Sequence, residues 1–221
     1  MAERVLMVEL DGDVAAVWET IIAGDGQWLA DEIVRFNMTH EAVRLVLSRT
    51  PQGSKERAFA TILKNRVNRG GILAPGASLV KQGENGRGLK SRWYPRTLYR
   101  RIQNIMAIRD RIGIIHGDGL AVMQQHSQRP DVVYFIDPPY TAGGKRAGSR
   151  LYTHSVLDHE ELFRIAAGLH GDFLMTYDNV DELRNLARTY GFDTLLVPMK
   201  NTHHAEMTEL LIGRDLNWAR R

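Results

Sequence analysis

Two short runs, residues 112–115 (IGII) and 132–136 (VVYFI), carry apolar and β-branched side chains without the polar alternation of a strand that keeps one face wet. Runs of that kind belong to strands buried on both faces, and such strands pair in parallel beneath covering helices. The rest of the chain agrees. A third run, residues 4–10, passes straight into an amphipathic stretch with Val14, Val17, Trp18, Ile21 and Ile22. Helical periodicity continues, with breaks, through 28–36, 41–47 and 56 to about 67. It resumes at 95–109, where Pro95 suits a first turn and Leu98, Ile102, Ile105 and Met106 share a side. Beyond the 112–115 strand come a short helix at 120–126 and, after the strand at 132–136, a helix capped by Asp158 with Glu160 and Glu161 in its first turn. A strand at 173–176, a helix stopped by Gly191, and strands at 194–197 and 209–212 complete the alternation. The expectation is an α/β fold whose mostly parallel sheet has helices on both faces.

Between those elements, 68–92 is rich in glycine and poor in apolar period, which predicts a long loop or small irregular lobe. The lobe is also where charge collects. From Lys64 to Arg101 there are ten basic residues against the single acid Glu84, a net of +9; with +3 for the whole chain, −6 is left for everything else. A basic lobe on an acidic body is expected of a protein that neutralises phosphates, the alternative being a solvated, flexible insertion that happens to be basic. Three parts are expected: 1–49, an inserted basic lobe at 50–105, and 106–221. The absence of cysteine excludes disulfides and thiolate metal sites. No apolar run reaches about 18 residues and no secretory leader is present, so a monomer in the cytosol without a membrane partner is expected.

In open parallel sheets ligands lie beyond the carboxyl ends of the strands, so acids that follow strands are the candidates for chemistry. Glu9 and Asp11 follow the first strand, Asp118 the second, and Asp137 the third. Asp137 opens the sequence Asp137-Pro138-Pro139-Tyr140. As composition alone, Asp-Pro is equally a turn opener, because proline ends a strand. A carboxylate and a carbonyl held by rigid rings have a chemical use as well. Together they can accept both N–H bonds of an exocyclic amine and so free its lone pair, while an aromatic ring stacks on a base rotated out of a duplex.

VYFIDPPY, followed by DHEEL at 158–162 and FLMTYDN at 173–179, resembles the Dam-like adenine-N6 DNA methyltransferases. So do VLMVELDGDVAAVW near the start, NRVNRGG at 65–71 and HGDGLAVM at 116–123. The resemblance implies a Rossmann-like methyltransferase sheet with an inserted DNA-recognition lobe, S-adenosyl-L-methionine as cofactor and double-stranded DNA as partner. It makes Asp137, Pro138, Pro139 and Tyr140 the target-base site. Glu9 matches the acid at the cofactor ribose and Asp118 the acid near its adenine, with Asp11 beside them; each also reads as a helix cap or turn acid. Arg66, Arg69, Lys81, Arg87, Lys90, Arg92 and Arg96 are the expected DNA contacts, joined by Lys145 and Arg146 after the catalytic loop. One departure stands out: the phenylalanine- and glycine-rich cofactor loop of the family, which precedes the acidic strand, has no counterpart here. Either an upstream reading frame supplies it, or the chain is a remnant that binds cofactor weakly. Other amino methyltransferases, acting on cytosine-N4, RNA or protein glutamine, are the nearest alternatives, and a non-catalytic DNA-binding remnant is a third. His203, His204, Glu206 and Glu209 are read as no metal site, since their spacing suits no helical ligand pair.

Overall fold

The apolar opening run is strand β1 (Val5–Glu9), and the amphipathic stretch behind it is helix α1 (Gly12–Thr20). Both come from a computed structural model that describes residues 2–83, 86–139, 153–154, 156–200 and 206–220. Asp11, two residues past the strand, starts the helix: its backbone is extended and its carboxylate accepts from the Asp13 N–H at 2.8 Å, satisfying one of the donors a helix start leaves unpaired. The predicted helical stretch does not run straight on. At Ile21–Asp25 a wide turn intervenes, and Gly24 sits at φ 108°, a left-handed value that glycine adopts without strain. Helices α2 (Gly26–Arg35), α3 (His40–Ser48), α4 (Ser54–Val67) and α5 (Pro95–Met106) follow.

The chain divides into two compact units, Met1–Asp118 and Gly119–Arg221, each with its own apolar core. In the first, Leu29, Ile33, Val43, Leu63 and Val67 are fully buried. The ring of Phe36 meets those of Phe59 and Trp93 edge-on, with centroids 5.3 and 5.9 Å apart. Residues of the 50–105 stretch therefore fill the same core as those of 21–47. Between α4 and α5 the chain is mostly loop, held to the end of α4 by an antiparallel bridge from Asn68 to Leu79 and closed by a tight turn at Gly88–Arg92. Strand β2 (Ile112–His116) pairs in parallel with β1, with Val5 opposite Ile112 and Glu9 opposite His116.

The second unit runs α6 (Gly119–Gln125), β3 (Val133–Ile136), α7 (His159–Ala167), β4 (Asp172–Asp178), α8 (Asp181–Thr189), β5 (Asp193–Lys200) and β6 (Glu206–Gly213). Its sheet order is β3-β4-β6-β5. β3 and β4 are parallel as expected, whereas β6 is antiparallel to both its neighbours, so the sheet is mixed. Gly171 leads into β4 where a Cβ would lie 2.1 Å from the Val132 carbonyl oxygen, so only glycine lets the two strands start side by side. Met123, Leu162, Phe163, Ile165, Leu183 and Ala187 all pack on one face, against Phe173, Met175, Tyr177, Leu210 and Ile212. This corrects the expectation that β3 is buried on both faces. Tyr134 and Ile136 face that core, but Val133 and Phe135 are 75% and 70% exposed. The described helices of the unit share a single core cluster, and β3 pairs only with β4 among the described strands. No helix among the described residues is long and apolar enough to cross a membrane.

Candidate active site

β3 stops after Ile136 because Pro138 has no N–H to continue the ladder and its ring restricts the residue before it. The register opposes Ile136 to Met175 and so brings the next residue, Asp137, beside Thr176. There the Thr176 hydroxyl donates to Asp137 Oδ1 at 2.6 Å. Thr176 is buried in the body of β4 and Asp137 is exposed at the mouth of the strand. A short hydrogen bond from a fixed hydroxyl thus sets the direction of a solvent-facing carboxylate. Pro138 and Pro139 are half-buried, and their carbonyls are acceptors with no N–H of their own to compete. Tyr140, Lys145 and Arg146 lie outside the described residues.

The neighbouring strand adds polar groups at the same end. β4 finishes in Asp178 and passes to Asn179, whose amide donates to Thr208 Oγ1 at 3.2 Å while its oxygen accepts from Arg184. Behind this end, Tyr177 is fully buried and its hydroxyl lies 3.0 Å from His159 Nδ1. Burial holds the His159 pKa below its ordinary value, against the opposite pull of Glu182 and Asp158, and pushes the Tyr177 phenol up. Asp158 caps α7 as predicted, accepting from the Glu161 N–H at 2.9 Å.

Glu9, Asp11 and Asp118 gather at the carboxyl end of the β1–β2 pair in the first unit. Glu9 is half-buried, its Oε1 accepts from the Asp11 N–H at 2.8 Å, and its carbonyl accepts from the Gly117 N–H at 2.9 Å. The Asp11 carboxylate is engaged as the α1 cap. Asp118 is exposed and directly precedes α6. Gly12 leaves room for the His116 ring, which a Cβ there would approach to 3.0 Å. A half-buried carboxylate at a strand end, as Glu9 is, is an acceptor suited to a pair of hydroxyl donors such as a ribose diol, whereas Asp118 is exposed.

Of the expected DNA contacts, Arg69, Lys81, Arg87, Lys90 and Arg96 are exposed, with the Arg87 guanidinium 6.0 Å from the Tyr94 ring. Arg66 and Arg92 are half-buried. Trp93, which by sequence stands among arginines and reads either as a base-stacking candidate or, the commoner role for such aromatics, as a packing residue, is a core residue at 7% exposure. Two cavities, about 530 Å³ beside His159 and Glu182 and about 610 Å³ beside Arg44, Arg57 and Lys64, include none of Glu9, Asp118 or Asp137 in their linings. Among the described residues no three His, Asp or Glu side chains are arranged to hold a metal, and His203 and His204 lie outside them. Sequence reasoning missed Thr176; its only local signal is a hydroxyl inside the otherwise apolar FLMTY. No protein-family model matches the chain, and no curated protein matches it.

Proposed function

We propose that this chain carries the base-binding and nucleic-acid-binding parts of an S-adenosyl-L-methionine-dependent DNA methyltransferase acting on adenine N6. The observation that supports this best is the exposed Asp137 carboxylate, presented at the end of a parallel strand, aimed by Thr176 and followed by two prolines. An adenine amine is a weak nucleophile because its lone pair is delocalised into the ring. Asp137 would accept one of its N–H bonds and the carbonyl of Pro138 the other, leaving the nitrogen pyramidal with its lone pair directed outward. The prolines keep both acceptors stationary, so little reorganisation is needed as charge develops on nitrogen. Target adenines must leave the stack for this geometry to apply. Glu9 and Asp118 are the residues that would hold the cofactor sugar and adenine, and the cofactor, when bound, supplies an electrophilic methyl group.

Transfer of labelled methyl groups to duplex DNA tests the assignment directly. Asp137→Ala should lower the rate by about 100-fold or more, with duplex affinity within a factor of two or three of the parent chain. Equal rates in parent and variant would eliminate Asp137 as the acceptor. Duplex binding without cofactor binding by calorimetry would favour the non-catalytic alternative, which the basic segment 64–101 supports on its own.

A further inference from the structure

The cavity of about 610 Å³ lies wholly within the first unit, and its lining divides by character. Its floor is α4. Arg57, Ala60, Thr61 and Lys64 recur there at helical spacing, on the face opposite Phe59 and Leu63, which fill the core. One wall is the end of α3 and the residue after it, with Arg44, Leu47 and Arg49. The other is the loop at 74–79, which is fixed to the end of α4 by three hydrogen bonds. Asn68 Nδ2 donates to the Ile72 carbonyl at 2.7 Å, the Arg69 N–H to the Ser78 carbonyl at 2.9 Å, and the Val80 N–H to the Val67 carbonyl at 2.8 Å. So held, Ala74, Pro75 and Leu79 add apolar surface to that of Leu47.

Charge is one-sided in this cavity. Arg44, Arg49, Arg57 and Lys64 line it, and among the described residues Asp13 is the one acid that does, so the lining carries +4 against −1, a net of +3. The acid offsets little: Arg57 Nε stands 3.9 Å from Asp13 Oδ1, and both side chains are about half exposed. No ion pair among the described residues includes Arg44, Arg49 or Lys64. A purely apolar ligand would strip water from these cations without replacing it, and a bare anion would leave the Leu47 and Leu79 surface wet. A ligand that matches both halves has a multiply charged oxyanion on a flat, weakly polar body, and the volume suits a small molecule. A sugar phosphate fits less well, because the loop wall is alanine, proline and leucine and the Thr61 hydroxyl already donates to the Arg57 carbonyl at 2.8 Å. We propose that this cavity binds one nucleotide, its phosphate between the cations of α3 and α4 and its base on the apolar wall. The site goes beyond the base-binding assignment at Asp137, shares none of Glu9, Asp118 or Asp137, and does not depend on methyl transfer. The same chemistry is offered by a free mononucleotide and by one unit of a nucleic acid strand.

Calorimetry on the full chain tests this with adenosine 5′-monophosphate, adenosine and inorganic phosphate as probes. The chains compared are the parent, Arg44→Gln, Lys64→Met and Arg35→Gln. Arg44 is exposed, so its replacement should not unfold the chain, and Lys64→Met keeps the apolar stem of a half-buried side chain. Arg35 is an exposed control of equal charge on α2, paired with Glu32 at 3.5 Å. The monophosphate should bind the parent, with adenosine and phosphate each weaker by about ten-fold or more, since each meets half of the lining. Arg44→Gln and Lys64→Met should each weaken the monophosphate by about ten-fold, the loss of one charged hydrogen bond. Arg35→Gln should bind as the parent does. A single-stranded deoxyadenylate oligomer then separates the two sources. If it displaces the monophosphate and is itself weakened by Arg44→Gln, the occupant is a unit of a strand; if it leaves the monophosphate bound, the occupant is the free nucleotide, and in both cases the site stands. No binding of the monophosphate to the parent would overturn the proposal. So would affinity unchanged in both Arg44→Gln and Lys64→Met, an equal drop in Arg35→Gln, or adenosine that binds as tightly as its monophosphate. A failure of methyl transfer with these results intact would fall on the catalytic assignment alone.

Discussion

His159 and Tyr177 show how a half-buried histidine against a buried phenol ties the second unit to pH. Nδ1 and the phenol oxygen are 3.0 Å apart, and burial favours the neutral imidazole. With its folded pKa below the ordinary 6.5, His159 takes up a proton more readily unfolded than folded. Its contribution is therefore complete above about pH 6.5 and is lost as pH falls below that value toward the folded pKa. Denaturant midpoints at pH 7.5 and 5.5 should differ more for the parent chain than for His159→Gln; an identical pH difference in both would remove the histidine from the account. At this scale Asp137 was legible and Thr176 was not. An acid before two prolines after an apolar run is a local signal, whereas the hydroxyl that aims it lies 39 residues away and is brought there by strand pairing. Arg66 and Arg92 were legible as charges, but their half-burial depends on packing that composition does not carry.

Elements were readable where their signals were local. Asp158 caps α7, Pro95 opens α5, and Gly191 at φ 69° ends the stretch behind α8, each through side-chain or backbone chemistry within one turn. A break after Ile22 was expected, but the form of the wide turn at Ile21–Asp25 was not legible, because one glycine inside a helical pattern is ambiguous between tolerance and kink. β3 was recognised as a strand and misjudged as doubly covered, since apolar content reports what a segment contains and not what lies over it. Its two faces should answer differently to truncation. Phe135→Ala, at 70% exposure, should cost well under 1 kcal/mol, as surface changes do. Met175→Ala, fully buried on the neighbouring strand, should cost about 2–5 kcal/mol. Urea unfolding of the two variants checks this, and comparable losses would mean that the Val133–Phe135 face is covered in solution.

Across the whole molecule, apolar burial is split between two clusters whose residues come from separate units. Leu63→Ala in the first cluster should therefore speed amide hydrogen exchange in α4 and α5 and leave β4 and β6 protected; equal acceleration in all four elements would show one shared cooperative core. The sheet of the second unit carries a further implication for how Asp137 is aimed. Side chains alternate between faces along a strand, so the hydroxyl that steers Asp137 is on the correct side only while Ile136 stands opposite Met175. A slip of one residue would turn Thr176 to the opposite side, away from the acid. The aim of the acid is thus inherited from the ladder of main-chain bonds between two strands, and whatever preserves that ladder preserves the aim.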